Sequence, residues 1–298
     1  MHSQPGIFAF GTAEHCYLEL DLAPRRHATE LASALAALHG TRTPLVAASA
    51  VVALRPELWS SVAPEAAPPG VRPFASVGAG EYLMPATQHD AWVWVAGATR
   101  DAVFDSTLNV IRRLDGLATV ATEVTGWAYR RNRDLTGFVD GTENPSVAEA
   151  ADVALVPEGA AAGSSVVLVQ QWEHLSSFAA LTVADQEAVI GRTKDASVEL
   201  EGDAIRADSH VSRTVVEEAG TELAIYRRNT AWGGPTRHGT MFVGFCGSQH
   251  VLQVMLERMA GLPDGVRDAL TRHTRPLTGA YYVAPALDAL ARLLTPEE

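Results

Sequence analysis

The sequence predicts an α+β fold in which two halves repeat one order of elements, with antiparallel sheets covered by helices on their faces. Three observations lead there. A chain of 298 residues is long for one simple core, which favours two packed or duplicated units. Hydrophobic residues make up 47% and charged residues 19%, a globular balance with enough apolar material to fill both units. Strand-like runs also recur with helical runs between them, and the second half repeats the order of the first less tidily.

His15 to Leu22 alternates apolar and polar residues, as a half-buried strand does. Pro24 opens the next element, and the alanine- and leucine-rich run from Ala28 to Leu38 predicts a helix stopped near Gly40. Leu45 to Leu54 reads as an apolar strand, and the proline- and glycine-rich stretch from Pro64 to Gly80 as a surface loop. Asp90 to Ala96 alternates again. Asp101 to Leu114 places apolar residues at 103, 104, 108, 110, 111 and 114, one face of a helix, and Thr119 to Tyr129 returns as a strand.

In the second half, Ser165 to Trp172 predicts a strand and Thr182 to Ile190 a short helix that Thr182 can cap. Val211 to Val216 and Leu223 to Arg228 read as two strands joined by a turn at Gly220. Met241 to Cys246 is an apolar strand, Gln249 to Met259 a helix ended by Gly261, Ala280 to Val283 a strand, and Pro285 to Leu294 a terminal helix. The pattern is that of duplicated ferredoxin-like (βαββαβ) halves, 1–130 and 131–298. That fold hosts many functions, so chemistry has to be read from residues.

Composition narrows the classes. A net charge of −12 argues against nucleic acid or an anionic membrane as the main partner. Cys16 and Cys246 form no CxxC or CxxCH pair, which leaves a zinc ribbon, a disulfide framework and covalent c-type haem unsupported. No apolar run approaches the ~18 residues that span a bilayer, and the N-terminus lacks a basic segment followed by an apolar run, so a cytoplasmic protein is expected. No HExxH, GxSxG or GxxxxGK[ST] occurs, which removes zinc hydrolase, elbow hydrolase and P-loop readings.

The stretch Leu135-Thr-Gly-Phe-Val-Asp-Gly-Thr-Glu-Asn-Pro145 is the most specific feature. Asp140-Gly141 and Asn144-Pro145 are turn signals four residues apart, so Asp140 sits on a sharply folded loop. It is either a surface turn or a carboxylate held over a planar cofactor. His210, in Asp208-Ser-His-Val-Ser-Arg213, is either a solvated loop residue or a ligand. Arg227, Arg228 and Asn229 end a strand-like run. An arginine beside Asp140 puts a proton-transfer group and a fixed cation in one pocket, the pair needed to split hydrogen peroxide. Arg228 reads as a surface charge.

Gly137-Phe-Val-Asp-Gly-Thr142 resembles the GxxDGT signature of dye-decolourising (DyP-type) haem peroxidases, and the continuation to Pro145 is similar to their bacterial class B branch. Val169-Gln-Gln-Trp-Glu-His174, Val189-Ile-Gly-Arg-Thr-Lys194, Asp208-Ser-His210, Tyr226-Arg227 and Gly279 to Asp288 resemble family stretches in the family order. The likeness implies non-covalent haem b, one per chain, in the second half. His210 falls on the proximal iron ligand, Asp140 on the distal aspartate, Arg227 on the distal arginine and Asn229 on a distal asparagine. Arg192 matches an arginine that holds a haem propionate, and Gly141, Thr142 and Phe242 are expected beside the cofactor. Met241 and Phe245 are candidate pocket residues, and Asp288 a candidate partner for the His210 ring.

The implied activity is reduction of hydrogen peroxide through a ferryl intermediate, with oxidation of dyes, phenolic-type or other one-electron donors. Electrons are expected to leave through surface aromatics among Trp127, Tyr129, Trp172, Trp232, Tyr281 and Tyr282, or from manganese held by Glu143, Glu199 and Glu222. The alternatives are a haem-handling protein with side peroxidase activity and a non-haem interaction module. The resemblance further implies a homo-oligomer. The end Ala291-Arg-Leu-Leu-Thr-Pro-Glu-Glu298 shows no glycine-rich apolar tail, so packaging in an encapsulin shell is not expected.

Overall fold

The computed structural model of the protein describes residues 2–39, 47–130 and 133–295. Gly40 and Leu45, where a helix stop and a strand start are expected, lie outside them, as do the last three residues of the C-terminal stretch. The first half begins β1 (Glu14–Leu22), α1 (Ala28–Ala36), β2 (Ala48–Leu54), α2 (Pro56–Val62) and the small hairpin β3 (Val77–Ala79) and β4 (Tyr82–Met84). It ends with β5 (Ala91–Gly97), α3 (Arg100–Arg113) and β6 (Ala118–Trp127). The second half opens with α4 (Ala150–Ala154), β7 (Ser165–His174), α5 (Ser176–Ala179), α6 (Val183–Ile190) and α7 (His210–Thr214). A hairpin of β8 (Glu217–Glu218) and β9 (Thr221–Glu222) leads to β10 (Tyr226–Arg227), β11 (Thr230–Gly234) and β12 (Arg237–Cys246). The chain continues through α8 (Gln249–Ala260), β13 (Thr274–Pro276), β14 (Ala280–Ala284) and α9 (Leu287–Arg292).

The first sheet runs β6–β1–β5–β2 and the second β14–β7–β12–β11, the same fourth-first-third-second order in each half. This is the duplicated ferredoxin-like pattern, antiparallel throughout. The two sheets also pair with each other. Ala231 and Trp232 of β11 face Trp127 and Gly126 of β6, and Val283 of β14 faces Leu54 of β2. An eight-stranded closed ring results, and the interior strand edges are paired rather than left open.

Alternation along the strands sorts side chains to the two sides of this ring. Tyr17, Val51, Trp92, Trp94, Val167, Val243, Phe245 and Tyr282 fill its inside. Outside the first half, Leu18, Leu20, Val52 and Val93 pack directly under Leu31 and Leu35 of α1, Val110 of α3 and Leu290 of α9. Outside the second half, Leu168, Cys246 and Tyr281 meet Leu252, Met255 and Leu256 of α8. Among the described residues, no helix is long and apolar enough to cross a membrane.

Several local expectations need correction. The run after His210 is helical, because Ser209 caps it by accepting the Ser212 N–H and Thr214 Oγ1 donates to the His210 carbonyl. Its β-branched residues mimic a strand only in one dimension. The expected strand from Leu223 to Arg228 shrinks to β10, while β11 forms in a stretch to which no element is assigned from sequence. The loop between Pro64 and Gly80 is not wholly superficial. Phe74 and Val77 are buried, and the Phe74 ring lies 5.3 Å from that of Tyr281. On α3, Phe104 points to solvent while Ser106 and Thr107 are buried, so the true inner face is rotated from the apolar pattern.

Arg228 is not a surface charge. It donates to the carbonyls of Ile7 and Ala9 and to Thr12 Oγ1, and its guanidinium stacks 5.0 Å from the Trp94 ring centre. Below Trp94 lies His15, whose Nδ1 accepts the indole N–H at 3.1 Å. Burial, with the Arg228 charge adding to it, lowers His15 to about 4 from an ordinary 6.5. Between those values the unfolded chain takes up a proton that the folded chain refuses, so stability falls as pH drops through that window. Urea unfolding from pH 6.5 to pH 4 is expected to show His15 contributing a loss of about 1.4 kcal/mol per pH unit, and His15→Gln to flatten the slope by that amount.

Candidate active site

On the second half, the outer faces of β7 and β12 do not meet α8 everywhere. Leu168, Gln170 and Trp172 of β7 and Thr240 and Phe242 of β12 form the floor of a cavity of about 200 Å³. Leu252, Met255, Leu256 and Met259 form an apolar wall opposite. Asp140, Gly141, Thr142, Arg192, His210, Arg227, Asn229 and Phe242 all line this one cavity. Met241 and Phe245 do not: the period of two turns them into the ring interior, on the other face of β12.

His210 is the first residue of α7, and its Nδ1 lies 2.7 Å from Asp268 Oδ2. Asp268 is fully buried, and its other oxygen caps the turn starting at Ala269 by accepting the Leu270 N–H at 2.8 Å. A carboxylate held so firmly fixes both the ring orientation and the nitrogen that carries the proton, leaving Nε2 as the free lone pair. Asp288, the partner expected from sequence, instead bonds the backbone N–H and ring of His2. Asp268 lies 58 residues from His210 and carries no motif of its own, so only the fold could reveal it.

The Asp140 loop is built from two turns, closed by Gly137 N–H to the Asp134 carbonyl and Asn144 N–H to the Gly141 carbonyl. Gly141 has φ +75°, and a Cβ there would sit 3.1 Å from Asn144 Nδ2. That amide matters. Asn144 donates to the Arg227 carbonyl at 2.9 Å and accepts the Arg227 N–H at 2.8 Å, clamping the arginine's backbone to the loop as a strand neighbour would. Asn229 donates from Nδ2 to Asp140 Oδ1 at 3.2 Å and accepts the Val243 N–H, so strand β12 positions the asparagine that orients the aspartate.

Arg192 follows Gly191, which ends α6 at φ +94°. It donates to the Ser197 carbonyl, to Glu143 and to Glu199. The Nε atoms of Arg227 and Arg192 are buried with no hydrogen-bond partner among the described residues. Two further titratable groups line the cavity. Burial pushes Asp134 up to about 6 against the hydrogen bonds from Thr136, and the Asp140 charge adds to the rise. His174 is lowered to about 4, first by burial and then by His238.

The candidate electron-transfer aromatics also separate. Trp172, Trp232, Tyr281 and Tyr282 are buried, so they are not surface aromatics; Trp127 and Tyr129 are partly exposed.

Comparison with known proteins agrees with this arrangement. Residues 4–128 match the family described as Dyp-type peroxidase, N-terminal, and residues 131–289 match Dyp-type peroxidase, C-terminal. The chain belongs to the DyP-type peroxidase family. It is 34% identical to a dye-decolorizing peroxidase of Mycobacterium tuberculosis over 84% of this chain and 77% of that one. A dye-decolorizing protein from V. cholerae superposes with TM-score 0.88 at 35% identity, covering 97% of this chain and 99% of the other. A Rhodococcus jostii RHA1 DypB variant in complex with heme superposes with TM-score 0.87 at 31% identity, covering 94% of each chain. This DyP-type peroxidase is therefore an oxidoreductase.

In this peroxidase, Asp268→Ala removes a cap and strands the His210 N–H together. Urea unfolding is expected to show a loss of about 3 kcal/mol, and Asp268→Asn a smaller one because the amide oxygen still accepts.

Proposed function

We propose that the cavity binds haem b without a covalent link and reduces hydrogen peroxide at the expense of one-electron donors such as dyes and phenolic compounds. The observation that carries this reading is the imidazole of His210, fixed by buried Asp268 and lining one cavity together with Asp140, Asn229 and Arg227. One neutral nitrogen donor suits an iron whose other ligands come with a macrocycle. The apolar wall of α8 suits a porphyrin face, and the partnerless Nε atoms of Arg192 and Arg227 suit an anionic propionate and an anionic oxygen. In this reading 131–298 is the haem-bearing half and 1–130 its partner.

Haem, when bound, supplies the iron redox chemistry that cleaves the O–O bond. His210 would hold the iron through Nε2. Asp140 would take a proton from one peroxide oxygen and return it to the departing one, directly or through water. Asn229 holds the carboxylate at its Oδ1 and leaves Oδ2 for this exchange. Arg227 stabilises the negative charge that develops on the departing oxygen, and the Asn144 clamp fixes where that cation stands. Gly141, Thr142 and Phe242 would shape the cofactor's surroundings, and Arg192 would hold a propionate. The free, buried cysteines fit work in a reducing cytoplasm.

Manganese is a second candidate donor. An adjoining surface cavity shares Thr142, Glu143, Glu222 and Ala224 with the first and is lined by Glu149 and Asp152 as well, an acidic mouth next to the site. Glu199 joins Glu143 on Arg192, so two of the three glutamates expected for manganese are already paired. If that mouth feeds the site, E143Q/E199Q/E222Q lowers manganese oxidation several-fold more than dye oxidation; equal loss of both rules manganese out as a specific donor.

Purified protein is expected to show a Soret band that disappears in His210→Ala. Stopped-flow mixing with peroxide is expected to slow about 100- to 1000-fold in Arg227→Ala, the usual cost of losing one electrostatic stabiliser. Asp140→Ala is expected to slow it more than Asn229→Ala. A haem-handling protein has no need of Arg227, so an unchanged rate in Arg227→Ala would support that alternative.

A further inference from the structure

Inside the ring, four aromatic side chains stack on one another and none belongs to the peroxide site. Tyr17 and Trp94 have ring centres 6.0 Å apart, Tyr17 and Trp92 6.3 Å, Trp92 and Trp94 6.2 Å, and Trp92 and Tyr282 6.4 Å. All four are essentially fully buried. One end of the column touches the distal strand: Tyr17 Oη lies 3.0 Å from Thr230 Oγ1, and Thr230 directly follows Asn229. The other end carries a buried carboxylate. Tyr282 donates its phenol proton to Glu19 Oε1 at 2.7 Å, and Thr122 donates to Glu19 Oε2 at 3.0 Å. Glu19 is 4% exposed, and the peroxide chemistry makes no use of it.

We propose that this column takes one oxidising equivalent from the peroxide site and stores it on Tyr282, with Glu19 as the proton acceptor. The proposal rests on the peroxidase reading, which supplies the oxidant. In the step, the Tyr282 O–H bond breaks, the proton moves to Glu19 Oε1, and the electron passes through the rings to the peroxide-oxidised cofactor. A neutral phenoxyl radical and a neutral glutamic acid remain, so no net charge is created in the apolar interior.

The other three rings lack this outlet. The Trp92 Nε1 proton has no hydrogen-bond partner among the described residues, and the Tyr17 hydroxyl faces only another hydroxyl. Trp94 does donate to His15, but the Arg228 guanidinium lies over the Trp94 ring. That cation opposes both a positive ring and a protonated His15 beside it. Electron loss therefore settles where the proton can leave at no cost in charge, at Tyr282. Burial also raises the phenol well above its ordinary range, so Tyr282 keeps its proton until it is oxidised.

Haem-loaded protein is mixed with peroxide in the absence of donor and frozen for electron paramagnetic resonance, while the Soret band of the same sample reports reaction with peroxide. A tyrosyl signal is expected, narrowed when the protein carries ring-deuterated tyrosine. Tyr282→Phe, which keeps the ring packing, is expected to lose it. Glu19→Gln, which still accepts the phenol hydrogen bond but cannot take the proton, is expected to lose it too, and Glu19→Asp to restore part of it. A tyrosyl signal undiminished in Tyr282→Phe, with the Soret response intact, overturns the proposal. Its undiminished persistence in Glu19→Gln overturns the role of Glu19. Absence of any Soret response to peroxide in the wild type instead overturns the peroxidase reading itself.

Discussion

The register of β12 is the constraint on which the rest of the molecule depends. Its even-numbered residues Thr240 and Phe242 face the site cavity, while Met241, Val243 and Phe245 face the ring interior. The same strand takes the Asn229 side chain on its Val243 N–H, pairs with β10 beside Arg227, and closes the ring against β7. A slip of one residue would exchange the two faces, moving Met241 and Phe245 into the site and displacing Asn229 from Asp140. The closed ring forbids that slip, because β12 is held on both sides at once.

The two duplicated halves differ in how their outer faces are covered, and the site cavity lies on the second. In the first half, α1 and α3 lie flat on the sheet and their side chains fill the space. In the second, the long connection between β7 and β10 is folded into α5, α6 and α7, and it brings His210, Arg192 and the wall around them between the sheet and α8. The first half is not idle. It supplies Tyr17, Glu19, Trp92 and Trp94 to the shared interior, and its N-terminal turn is tied to Arg228, the neighbour of Arg227. A site cavity on one half and a packed aromatic interior made by both halves sit on opposite sides of the same ring wall.

The local devices around the site are polar and economical in number. Asn144 replaces a missing strand neighbour for Arg227, Asn229 links Asp140 to β12, and Asp268 serves a cap and an imidazole with its two oxygens. Each satisfies buried backbone or ring groups that would otherwise be costly to bury. Positioning is thus achieved by groups that also stabilise the fold, so removing Asp268 is felt in stability as well as in the ring it orients.

By itself the sequence determined the duplicated α+β order and the strands of long apolar alternation, because periodicity is a local signal, and its motif stretches pointed to Asp140, Arg227, Asn229, His210 and Arg192, which the fold gathers around one cavity. Gly141 and Asn144 were legible as turn residues, but that Asn144 holds Arg227 was not, since the partners lie 83 residues apart. Asp268 and Glu19 sit in segments with no motif, and their partners, 58 and 263 residues away, are brought near only by the tertiary fold. The helix at His210 went unread because a side-chain cap, not the apolar pattern, decides it. Arg228 looked like a surface charge because charge alone does not say which way a strand end faces. Tertiary structure decided those points for one physical reason: hydrogen bonds and ring contacts between distant strands leave no period in the chain.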